Sequence, residues 1–112
     1  MIRWIADLLR RAARLARRRS SGIRIQRSSD FPDRPKRGIL YVIGEDGYDW
    51  AAAMQCPGGC GKLLEMNLYP DAHPVWSVTE HQDGTVSLTP SVWLKTGCRC
   101  HFILRAGRVI WV

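Results

Sequence analysis

The chain has 112 residues and a formal net charge of +7 at pH 7, enough for one domain with a modest core. Residues 1–19 contain seven arginines and one aspartate, a net of +6, so the remaining body is close to neutral. That neutrality argues against nucleic acid as a partner of the body. Arginine interrupts every apolar stretch of the N-terminus, and no run approaches the roughly 20 apolar residues of a membrane span. We therefore expect a cytoplasmic protein with reduced cysteines.

Residues 1–22 are predicted to form a basic amphipathic helix. Its apolar side chains recur at helical spacing, with arginine around the rest of the circumference: Ile5, Leu8, Leu9, Ala12, Leu15 and Ala16. The sequence Ser20-Ser21-Gly22 is typical of a helix end. Such a helix packs on its own domain or stays solvated, docks a protein partner, or lets residues 1–19 contact an anionic membrane surface or nucleic acid.

The rest of the chain divides into a linker at 23–37 and a β domain at 38–112. The linker is rich in proline, serine and charge, although its first four residues alternate as a short strand does. In the β domain, apolar segments flank two turn sequences, Gln82-Asp83-Gly84 and Ala106-Gly107, a pattern typical of hairpins. The domain is therefore predicted to be mainly β.

All four cysteines lie in two short segments that also contain glycine. Cys56 and Cys60 enclose Pro-Gly-Gly, in which glycine allows a tight turn that brings two sulfurs together. In the second segment the spacing leaves two sets open: Cys98 with His101 if the chain turns, or Cys98 with Cys100 if it stays extended. Four such ligands close a tetrahedron, so we predict one structural zinc ion. The predicted fold is thus mainly β, with antiparallel hairpins around a zinc knuckle and an N-terminal amphipathic helix.

Ser91 is the candidate nucleophile, because it follows a proline at a strand end shortly before the second cysteine segment. A nucleophilic serine needs a base within hydrogen-bond reach. His101 would be close, but if it binds the zinc ion it is committed, which leaves His81 or His73. The alternative is a serine that caps a turn or bonds to the backbone.

Three motifs together resemble the domain of unknown function 6527 family, small bacterial proteins of which some are encoded beside ubiquitin-like conjugation genes. The motifs are Cys-Pro-x-x-Cys-Gly, Gly-Thr-Val-Ser-Leu-x-Pro-Ser-Val and Cys-Arg-x-His-Phe-x-Ile/Leu-x-x-Gly-x-Val-x-Trp, spread over about residues 38–112. In that family the position of Cys100 is usually serine. The resemblance therefore implies the zinc ligands Cys56, Cys60, Cys98 and His101, with Cys100 in place of His101 as second choice.

The resemblance also implies a role in a bacterial ubiquitin-like conjugation pathway of the antiphage-defence type. Our preferred interpretation from the sequence is a non-enzymatic accessory or adaptor module that binds protein partners. The ubiquitin-like protein and its activating or conjugating enzymes are the candidate partners. The alternative is a small hydrolase or peptidase, serine-type or zinc-dependent, that processes or releases the ubiquitin-like protein through Ser91 and His81.

Overall fold

The structure is a computed structural model that describes residues 5, 6, 8, 9 and 22–112. Its described part contains eight strands in two four-stranded sheets, which we call sheet I (β1–β4) and sheet II (β5–β8). The strands are β1 (Arg24–Ser28), β2 (Ile39–Glu45), β3 (Tyr48–Gln55), β4 (Leu63–Asn67), β5 (Ser77–Glu80), β6 (Val86–Trp93), β7 (His101–Arg105) and β8 (Arg108–Trp111). The predicted mainly β fold is confirmed.

The predicted helix over residues 1–22 lies outside the described residues, apart from the four isolated positions and Gly22. Its docking and membrane-surface roles therefore stay predictions. Within the described part of the chain, no helix is long and apolar enough to cross a membrane.

Within each sheet, strands that follow each other in the chain are also neighbours, and two of these pairs are joined by two-residue hairpin turns. Ala106 and Gly107 both have positive φ, 47° and 79°, as a two-residue turn between β7 and β8 requires. Asp46 and Gly47, with φ of 52° and 82°, do the same between β2 and β3. The exception is β1, which pairs with β2 in parallel and lies within the segment predicted as a linker.

The two sheets pack face to face around one apolar core. Sheet I contributes Leu40, Ala52, Met54, Leu64 and Met66, and sheet II contributes Val86, Leu88, Val92, Phe102 and Leu104. Because side chains alternate along a strand, burial of Val92 and Phe102 turns their neighbours to the outer face of sheet II. Ser91, Trp93 and His101 are those neighbours, and each is at least partly exposed.

Candidate functional site

Two loops at one end of the molecule hold all four cysteines. The β3–β4 loop is closed at its base by a hydrogen bond of 2.8 Å from the amide of Cys56 to the carbonyl of Lys62. The β6–β7 loop is closed in the same way, because the amide of Leu94 donates to the carbonyl of Cys100 at 2.8 Å. Each of these hydrogen bonds extends the hydrogen-bond ladder of its own sheet. The face-to-face packing of the two sheets places the two loops next to each other.

The cysteine sulfurs form a cluster between these loops. The Sγ atoms of Cys56, Cys60 and Cys98 all lie within 4.8 Å of one another. Cys56 Sγ lies 3.4 Å from Cys98 Sγ and 3.5 Å from Cys100 Sγ. Zinc–sulfur bonds of about 2.3 Å in a tetrahedron set neighbouring sulfurs about 3.8 Å apart, so these spacings fit a metal ion. They are far longer than the roughly 2.05 Å of a disulfide, and all four thiols are free.

The cluster has a buried side and an exposed side. Cys56 and Cys100 are buried, whereas Cys60 and Cys98 are exposed. Burial, together with the contacts that Cys100 makes with Cys56 and Cys98, raises the pKa of its thiol to about 12. Such a thiol keeps its proton at neutral pH unless a cation replaces that proton. The donor set therefore suits a thiophilic ion such as zinc.

The chain turns within the second cysteine segment. A turn there was the condition under which the spacing predicted Cys98 and His101 as ligands. Arg99 has φ of 53°, and its amide donates to the carbonyl of Thr96 at 3.4 Å. The turn, however, brings Cys98 and Cys100 towards Cys56. His101 begins β7 and bonds elsewhere, to a hydroxyl on the neighbouring strand.

That hydroxyl belongs to Ser91, whose Oγ lies 3.0 Å from Nε2 of His101. The register of sheet II explains the contact, since Trp93 of β6 pairs directly with His101 of β7 and Ser91 lies two residues before Trp93. Both side chains are half-buried on the outer face, so the pair is shielded but reachable. A serine hydroxyl within hydrogen-bond distance of an imidazole is the arrangement of an activated nucleophile.

The ring of His101 is held by its surroundings. It stacks on the indole of Trp93 with ring centroids 4.8 Å apart and planes 10° apart. Its backbone carbonyl accepts a hydrogen bond of 3.0 Å from the amide of Val112. The role of Trp93 was not foreseen from the sequence, although its spacing of two from Ser91 already indicates a shared strand face.

The other two histidines lie elsewhere. His81 bonds through Nε2 to Oγ of Ser87 at 2.7 Å, and that Oγ also accepts from the amide of Ala106 at 2.8 Å. The structure thus pairs His81 with Ser87 and pairs Ser91 with His101. His73 is exposed in the segment between β4 and β5.

The fold and site define a small two-sheet β protein in which a serine–histidine pair lies beside a cysteine cluster. Residues 27–112 match the family model described as "Bacterial ubiquitination-like system serine protease (BubE)", and the chain belongs to this family. The resemblance noted from the motifs is confirmed at the level of a bacterial ubiquitination-like system family, although not under the name of domain of unknown function 6527. No curated protein and no solved structure matches the chain.

Proposed function

We propose that the protein is a serine peptidase of a bacterial ubiquitination-like system, with Ser91 as nucleophile and His101 as general base. The observation that carries the proposal is the 3.0 Å contact between Ser91 Oγ and His101 Nε2 on an accessible sheet face. The description of the family as a serine protease supports it. The adaptor interpretation preferred from the sequence assigns no role to this pair, and we propose catalysis in its place.

The chemistry follows from the positions of two atoms. Nε2 of His101 takes the proton of Ser91 while Oγ attacks the carbonyl carbon of the scissile bond. The same nitrogen returns that proton to the leaving amine as the bond breaks and an acyl ester of Ser91 forms. Water, deprotonated by His101, then hydrolyses the ester and restores the serine. The proposed substrates are a ubiquitin-like precursor or its conjugates.

In many serine hydrolases a carboxylate orients the histidine base. Here the stacked ring of Trp93 would serve that purpose. Among the hydrogen bonds of the described residues, His101 makes its side-chain contact through Nε2 to Ser91. The parallel ring of Trp93 restricts rotation of the imidazole, and such stacking contributes about 0.5–1.5 kcal/mol. Trp93 is therefore proposed as a positioning residue for the base.

We further propose that Cys56, Cys60, Cys98 and Cys100 hold one structural zinc ion. The proximity of their sulfurs and the engagement of His101 with Ser91 support this set over the one implied by the resemblance. Four thiolate ligands leave no position for a water molecule, so the metal would take no part in the reaction. Its contribution would be to fix the β6–β7 loop, which carries the chain directly into His101.

The proposed activity is tested by reaction of the protein with a fluorophosphonate probe and with a ubiquitin-like precursor, both followed by mass spectrometry. The expected result is a probe adduct on Ser91 and cleavage of the precursor, both lost in Ser91→Ala. Thr89→Ala, an exposed position on the same strand, is the matched control and should keep both. Cleavage that survives in Ser91→Ala would overturn the proposal.

A further inference from the structure

Both sheets leave a strand edge open on the same side of the molecule, next to the proposed nucleophile. β4 ends sheet I, and no described strand pairs with it on the side away from β3. In sheet II, β5 pairs with β6 only as far as Thr89, so in the described chain residues 90–93 have no strand partner on that side. A groove of about 250 Å³ lies between these two edges.

The groove is apolar inside and lies next to the catalytic pair, because Val92 and Trp93 line it. Its lining includes Met66, Trp76, Val92 and Trp93, with Lys62 and Glu65 as its two charged residues. The indole Nε1 of Trp76 donates to the backbone carbonyl of Ser91 at 3.3 Å. Trp93 borders the groove on one side and stacks on the catalytic histidine on the other. A molecule in the groove would therefore contact Trp76, which bonds to the backbone of Ser91, and Trp93, which stacks on His101.

The hydrogen-bond alternation of the strands shows which backbone groups face the groove. Leu94 donates its amide towards β7, so the N–H and C=O of Trp93, one residue earlier, point away from β7 towards the open edge. On the opposite wall, the carbonyl of Asn67 accepts from Trp76 on the open side of β4. By the same alternation, the backbone groups of Glu65 also point there.

We propose that this groove is the substrate subsite, and that it holds the polypeptide in an extended conformation as a strand added to the open edge of β6. An extended main chain has the alternating N–H and C=O groups that an unpaired strand edge needs, and strand addition is a common mode of peptide recognition. The substrate places one large apolar side chain against Met66 and Trp76. The opposite charges of Lys62 and Glu65 cancel, so the groove has no net charge that would favour a charged side chain.

The subsite deepens the proposed function and rests on it. Because Trp93 and Ser91 belong to one strand, a segment paired at Trp93 has a fixed register relative to Oγ of Ser91. Holding the scissile carbonyl in that register beside Oγ of Ser91 lowers the entropic part of the reaction barrier. The substrate class is therefore an unfolded or terminal segment of a protein, not a folded surface.

The first experiment uses an unstructured peptide library made from a denatured, digested bacterial proteome. Wild-type protein and Ser91→Ala are incubated with it, and the new termini are identified by mass spectrometry. We expect Ser91-dependent cleavage with a large apolar residue enriched at one fixed distance from the cut. Trp76→Leu should change that preference, whereas Val78→Ala, on β5 and outside the groove lining, should leave it unchanged.

The second experiment tests backbone pairing without altering the protein fold. The best-cleaved peptide is synthesised with a single N-methyl group at each position in turn. Methylation at the position that pairs with Trp93 should lower kcat/KM by about five- to tenfold, the effect of one lost hydrogen bond. The unmethylated peptide should also slow hydrogen exchange of the Trp93 amide in the Ser91→Ala protein and leave the amides of β8 unaffected.

The outcomes separate the two proposals. A protein that neither reacts with the fluorophosphonate probe nor cleaves any peptide refutes the peptidase and the subsite together. Ser91-dependent cleavage with no positional preference and full tolerance of N-methylation refutes the subsite alone, as does probe reactivity without cleavage of any library peptide. Protection of the Trp93 amide that grows with protein concentration, without peptide, would assign the edge to a second copy of this chain.

Discussion

Cys100 and His101 are neighbours in the chain, yet their side chains lie on opposite faces of sheet II. Cys100 is buried with its Sγ 3.5 Å from Cys56, whereas His101 bonds on the outer face to Ser91. One peptide unit thus joins the cysteine cluster to the serine–histidine pair. We infer that the loop geometry set by the cysteines also fixes where β7 begins, and hence the position of the proposed base.

The first prediction concerns the ligand set. Purified protein should hold one zinc ion per chain by elemental analysis, and Cys100→Ser should lose it. His101→Ala should keep it, because that imidazole bonds to Ser91 instead. Structural zinc sites contribute roughly 10 kcal/mol or more of binding free energy, so loss of the metal should also unfold the domain. The reverse pattern, with metal kept in Cys100→Ser and lost in His101→Ala, would establish the set implied by the family resemblance.

Local turn chemistry made much of the fold predictable. Ala106-Gly107 and Gln82-Asp83-Gly84 stand between apolar strands, and both hairpins occur in the structure where they were expected. Positive φ at Gly107 and Gly84 is what glycine permits most readily. The parallel pairing of β1 with β2 could not be predicted, because it depends on contacts between segments that no local signal connects.

The different positions of the Cys100 and His101 side chains could not be predicted from the sequence either. They depend on a left-handed conformation at Arg99, a residue type that seldom adopts one. The Ser91–His101 contact depends in addition on a register shift of β6 between Leu88 and Val92. Spacing alone gives neither feature, so the two ligand sets stayed open and His101 was assigned to the metal by resemblance.

The second prediction concerns the N-terminal segment. Deleting residues 1–21 should leave the β domain folded and metal-bound, because the hydrogen bonds described for the start of β1 lie beyond the cut. The amide of Ile23 donates to the carbonyl of Gly107 at 2.8 Å, and that of Arg24 to Gly38 at 3.1 Å. Circular dichroism and metal content would check this. Deleting residues 1–26, which removes three of the five residues of β1, should be destabilising, and equal stability of both truncations would contradict the prediction.

The third prediction is that Ser87 is structural. Its Oγ accepts from the amide of Ala106 in the β7–β8 turn and bonds to His81, so Ser87→Ala leaves two polar groups without their partner. We expect a loss of about 1 kcal/mol in the free energy of unfolding, measured with urea, because the site is only half-buried. Thr89→Ala, exposed on the same strand, should change it much less. Loss of cleavage in a folded Ser87→Ala protein would show that this second pair takes part in the reaction.

The last prediction separates the histidines as candidate bases. His101→Gln should lower kcat by two or more orders of magnitude, because glutamine cannot accept the proton of Ser91. His81→Gln should leave kcat nearly unchanged, since its Nε2 lies against Ser87 at 2.7 Å. Both variants are compared for precursor cleavage and for the rate of fluorophosphonate labelling of Ser91, and circular dichroism confirms that each is folded. A large loss in His81→Gln with activity retained in His101→Gln would restore the pairing of Ser91 with His81 that the sequence suggested. In that case the serine would have to move from its position beside His101 during the reaction.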